Sequence, residues 1–250
     1  DHRDLHSFPT RRSSDLVLLT GILMICMALQ ACASSGCIEN FDLNDISPVQ
    51  DRINKVGFRI LNSNRIEQRV CFRYLPRQKE YNVGTDLRLM YLQRIVYITP
   101  RQMSNVTDDN ELAAILSRRI SQAVDSYDGI FRGYGSLLDY WVKPQKYNNK
   151  ADKMAVDYMV SAGYNPLALI VMLSKSIPQR RYECGDSYSL ASRRMARIYE
   201  YIYNKYPSFL ATNYYSDNIY YQNFLLTSRE NRAKLQQKIE TKSTKKVRYK

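Results

Sequence analysis

The chain has 250 residues, 37 Lys and Arg against 24 Asp and Glu, and a formal net charge of +13. Its two histidines, His2 and His6, both stand at the extreme N-terminus, so the remainder can assemble neither a Ser-His-Asp nor a Cys-His catalytic arrangement. A basic balance of this size favours anionic lipid headgroups, lipopolysaccharide phosphates or an acidic partner.

Residues 1–16, DHRDLHSFPTRRSSDL, resemble one reading frame of a sequencing-library adapter and are set aside from fold reasoning. Arg3, Arg11 and Arg12 balance Asp1, Asp4 and Asp15 there, so the net charge is unaffected. Residues 17–31 read as a signal peptide. The apolar run Leu16 to Leu29 is shorter than the roughly 20 residues a membrane span needs, but it suits a secretory h-region. It ends at Leu29-Gln30-Ala31-Cys32, which resembles a bacterial lipobox. Cys32 is then the diacylated N-terminus, and residues 32–47 form a tether. Ala33 in place of Asp favours the outer membrane, facing the periplasm. The alternatives are an uncleaved anchor or a plain secretory cut after Ala31. Export disfavours nucleic acid as a partner, and what remains, roughly 210 residues, suits one compact domain.

Val49, Ile53, Val56 and Ile60 recur at helical spacing, which predicts a helix from Pro48 to about Asn62. Val70 to Leu75 and Arg94 to Thr99 alternate and carry β-branched or aromatic residues, as strands do. Arg77 to Thr85, between them, reads as a loop. Asp108 followed by Glu111 has the pattern of an N-cap with its capping-box partner, opening a helix over about 109–126. Tyr127 to Tyr134 reads as a loop.

Lys150 to Ala162 is predicted helical and stops at Gly163. A helix follows from Asn165-Pro166 to about Ser176, and another from Ser187 to Lys205. Residues 207–240 form a C-terminal extension, tyrosine-rich and ambiguous over 213–224, then helical over 229–240. Residues 241–250 read as a disordered basic tail. The expected fold is mainly α with a small β-sheet (α+β): a helical domain over 48–206, packed on a short antiparallel sheet.

There are five cysteines. Cys26 leaves with the signal and Cys32 takes the lipid. Of the remaining three, Cys71 and Cys184 are the expected disulfide, with Cys37 in the tether. No CxxC spacing supports thiolate zinc.

From Asp51 to about Tyr203 the order of features resembles the zinc metallopeptidase family M-48, including its exported, outer-membrane-associated members. Four segments carry the resemblance. Phe58-Arg59-Ile60-Leu61 through Val70-Cys71 is similar to the family's leading helix and strand. Residues 94–99 through Asn110 to Leu116 are similar to the strand feeding the active helix. Ala151-Asp152 with Ala162-Gly163-Tyr164-Asn165-Pro166 is similar to the family's Ala-Asp and Ala-Gly-Tyr-Asp-Pro run. Ser192-Arg193-Arg194-Met195 is similar to the arginine-bearing helix that closes the site.

The resemblance implies a His-Glu-x-x-His helix, whose two imidazoles bind zinc while the Glu activates water. The corresponding positions here read Arg118, Arg119, Ile120, Ser121 and Gln122, with Asn148 at the third ligand position and Tyr188-Ser189 for the usual His-Pro. Guanidinium is always protonated and offers only donors, and amide carbonyls are poor zinc ligands.

The expected protein is therefore a pseudopeptidase without metal or other cofactor, with Asp152 and Arg194 as remnants of the family's supporting shell. Its expected partners are an envelope protein or peptide, the membrane through its lipid, and anionic lipid or lipopolysaccharide. Two alternatives stay open: an active zinc endopeptidase of the same family with other ligands, and a basic structural envelope protein. For Arg118 there are likewise two, an ion pair with Asp152 or a solvent-facing side chain.

Overall fold

A computed structural model describes residues 47–67, 70–75, 95–125, 142, 144–176, 185–212 and 214–249. All of these fall in a single compact unit spanning Asn44–Lys250. The adapter-like stretch, the signal segment, the lipidation candidate Cys32 and the loops at 77–85 and 127–134 lie outside the described residues. Cys71 is disulfide-bonded. Every other cysteine, Cys184 included, lies outside the described residues.

Helix α1 (Pro48–Ser63) starts where Ser47 Oγ accepts from Gln50 N at 3.2 Å, with Pro48 at the tolerated first position. It buries Ile53, Val56, Gly57, Ile60 and Leu61. Strands β1 (Cys71–Tyr74) and β2 (Ile95–Ile98) follow. They pair in parallel, Cys71 opposite Ile95 and Tyr74 opposite Ile98, which corrects the antiparallel sheet expected from the sequence. Residues 75–94 separate them, a connection long enough for the crossover that parallel strands require, so the spacing never enforced a hairpin.

Gln50 seals the outer edge of β1. Its Nε2 donates to Phe72 O at 3.0 Å, and its Oε1 accepts from Tyr74 N at 2.6 Å. Because Phe72 and Tyr74 face away from β2, Leu75 N is turned toward it and donates to Ile98 O at 3.0 Å. Alternation then aims the backbone groups of Ile95 and Tyr97 away from β1.

The short helix α2 (Pro100–Ser104) has a capping box between Thr99 and Gln102. Helix α3 (Asp109–Asp125) runs through the core, burying Leu112, Leu116 and Ile120 completely. Asp108 Oδ1 accepts from Glu111 N at 2.7 Å, while Glu111 reaches back one residue further than a capping box does, accepting from Thr107 N at 2.7 Å. Helix α4 (Pro144–Ser161) begins earlier than its apolar pattern predicts and ends at Gly163, whose φ of +76° suits a residue without Cβ. Gly163 N donates to Val160 O and Tyr164 N to Met159 O, a Schellman closure.

Among the described residues the remaining helices are α5 (Ala168–Ser176), α6 (Gly185–Lys205), α7 (Ser208–Thr212), α8 (Ile219–Thr227) and α9 (Arg229–Glu240). The protein is thus mainly α with a small sheet. One core joins α1, the strands, α3, α4, α5 and α6, and it also takes Tyr215, Tyr221 and Phe224 from the segment read as an extension. The basic tail, expected to be disordered, has one anchor: Tyr249 is buried, and its hydroxyl donates to Glu200 Oε2 at 2.8 Å. A composition rich in lysine conceals that one anchoring aromatic. Among the described residues no helix is long and apolar enough to cross a membrane.

Candidate functional site

Arg118 and Gln122, which the resemblance aligns with a zinc-binding motif, lie four residues apart on α3 and share a face. Asn148 and Asp152 have the same spacing on α4. The helices approach closely because small residues meet: Ser121 Oγ donates to Ala151 O at 3.0 Å and to Arg118 O at 2.8 Å. Arg194 comes from α6.

These elements bring Arg118, Asn148, Asp152 and Arg194 together. Asp152 is only 2% exposed. Arg194 Nε donates to Asp152 Oδ2 at 2.5 Å and its Nη2 to Oδ1, a two-pronged contact. Arg118 Nε donates to the same Oδ1 at 3.2 Å, and its Nη2 to Asn148 Oδ1 at 3.0 Å. Of the two arrangements open to Arg118, the structure contains the ion pair. Two cations thus share one carboxylate, and Asn148 takes part of the excess through its amide dipole.

Arg118 is lowered to a pKa of about 10, chiefly by burial and then by neighbouring Arg194, against the raising effect of Asp152. Burial alone brings Arg119 to about 10. Both remain cationic at neutral pH. Gln122 is buried, and among the described residues its Oε1 has no hydrogen-bond partner. An orphaned carbonyl of this kind typically costs about 1–3 kcal/mol.

This donor set does not fit zinc. Both oxygens of Asp152 are already occupied by guanidinium groups, and Asn148 Oδ1 accepts from Arg118. Gln122 Oε1 is a lone-pair donor, but a single amide oxygen beside protonated guanidinium is a poor zinc site. Among the described residues no group of three or more His, Cys, Asp or Glu is placed to hold a metal.

Sequence reasoning missed a second ionic cluster at the start of α3. Glu111 is fully buried and accepts from Lys175 Nζ at 2.8 Å on both oxygens; Lys175 also donates to Asn105 O at 2.9 Å. Tyr215 Oη donates to Asp108 Oδ2 at 3.1 Å beside it. The signal was present, a Glu at a capping position with a Lys ending a nearby helix, but capping alone accounted for it.

Comparison with protein-family models, curated proteins and solved structures finds no match.

Proposed function

We propose that this protein is a pseudopeptidase: a metallopeptidase-like scaffold of the M-48 type in which a guanidinium network stands where that family holds zinc. The observation that carries this reading is the pairing of Arg118 and Arg194 with one buried carboxylate, Asp152, at the positions that the resemblance assigns to a metal ligand and its supporting shell. An exported lipoprotein of this kind, anchored through Cys32 on the periplasmic side of the outer membrane, serves as an adaptor or regulator in envelope-protein quality control.

Its ligand is an extended peptide that adds to the outer edge of β2. The edge of β1 is sealed by Gln50, whereas Ile95 and Tyr97 direct backbone donors and acceptors away from the pair. Fluorescence anisotropy with an unstructured peptide tests this. Binding is expected, and it is expected to be lost when alternate peptide nitrogens are methylated. Equal binding of the methylated peptide contradicts strand addition.

A further inference from the structure

The geometry points to a binding site for a polyphosphorylated ligand in the cavity between α4 and α6, with residues 246–249 as its third wall. The cavity encloses about 1340 Å³. Its lining includes six cations, Lys146, Lys150, Lys153, Arg197, Lys246 and Arg248, and two carboxylates, Asp152 and Glu200.

Both carboxylates are already engaged. Asp152 holds Arg118 and Arg194, and Glu200 accepts from Lys238 Nζ at 2.9 Å and from Tyr249 Oη at 2.8 Å. Lys150 is paired with Asp125, and Arg197 Nη1 donates to the neutral Asn149 Oδ1 at 3.2 Å. Among the described residues the cavity therefore has more cations than its carboxylates balance, with low-dielectric walls that focus the field.

The size and surface of the cavity narrow the ligand class. It exceeds the roughly 300–1,000 Å³ of ordinary small-molecule sites, so a lone inorganic phosphate would leave it mostly empty. Val156, Ile198 and the rings of Tyr201 and Tyr249 supply apolar walls for a cyclic body such as a sugar. A phosphate monoester carries about −1.5 to −2, so two of them concentrate the charge that an acidic peptide spreads over about four carboxylates. The tail is a fixed wall: Tyr249 is anchored on Glu200, and Lys234 Nζ donates to Arg248 O at 3.4 Å. This site is separate from the β2 edge, and the two readings stand or fall independently.

Isothermal titration calorimetry of the full chain near physiological ionic strength tests the inference. The probes are inositol hexakisphosphate and phosphatidylcholine vesicles doped with a bisphosphorylated glycolipid. Binding of the soluble probe identifies a free polyphosphate source, and binding of vesicles alone identifies a lipid headgroup; either supports the site. Lys146→Gln with Lys246→Gln should weaken binding about thirtyfold, taking about 1 kcal/mol for each cation. Lys55→Gln with Lys245→Gln, equal in charge change but outside the cavity, should leave it unchanged. Thermal melting shows that both double variants are folded. Failure of both probes, equal losses in the two variants, or tighter binding of a polyglutamate peptide overturns the proposal.

Discussion

Arg194 grips both carboxylate oxygens of Asp152, whereas Arg118 reaches only one of them and gives its other hydrogen bond to Asn148. The carboxylate is the shared element, so removing it leaves two facing cations in a poorly solvated site. Asp152→Asn is expected to cost about 3–5 kcal/mol and Arg118→Ala less, about 1–2 kcal/mol. Urea unfolding of the two single variants and the double variant checks this: a coupling of about 1–3 kcal/mol is expected, and strict additivity speaks against the network.

Glu111 and Lys175 form the most deeply buried ion pair among the described residues, 0% and 6% exposed at the side chain. Removing either partner strands a charge in the core. Glu111→Gln and Lys175→Met should each destabilise by about 3–5 kcal/mol. The double variant is expected to be more stable than either single one, which denaturant midpoints read directly.

Gly57 faces the Phe72 ring across the contact between α1 and β1. A Cβ there would lie 2.5 Å from Phe72 Cε2 and Cζ. Alanine normally stabilises a helix interior relative to glycine, but here the overlap decides the sign. Gly57→Ala should cost about 1–3 kcal/mol, and Phe72→Leu in the same chain should recover part of that in thermal melts.

The docked tail has a pH signature. Burial, and then the hydrogen bond to Glu200, raise the Tyr249 phenol well above its ordinary value near 10. A raised folded-state pKa means that the folded chain keeps a proton the unfolded chain releases. The stabilisation is therefore complete below about pH 10 and fades as the pH rises beyond it. Tyr249→Phe should lose about 1 kcal/mol at neutral pH and then decline less steeply than the parent above pH 10. Unfolding curves across that interval, with phenolate absorbance, test both parts.

Much of the architecture was legible because long amphipathic helices announce themselves. The Ile53–Val56–Ile60 stripe, the Asp108–Glu111 start and the Gly163 stop each encode a local cause that the packing keeps. The direction of strand pairing was not legible, since a connection over 75–94 leaves both senses open. Helix α2 was hidden because Thr99 reads equally well as a strand end and as an N-cap. At the candidate site the sequence singled out Arg118, Asn148, Asp152 and Arg194, but not that Asp152 would serve two arginines. That depends on the approach of three helices, a long-range property. Tyr249 was missed for the same reason, as its partner Glu200 is far away in the chain.

Guanidinium groups are proposed to occupy the place where the M-48 family, which this chain resembles, binds zinc. Metal analysis of the purified full chain, after equilibration with excess zinc and removal of free ion, tests it most directly. Far less than one zinc per chain and no chelator-sensitive cleavage of casein are expected. One tightly held equivalent, with proteolysis abolished by chelation, would contradict it.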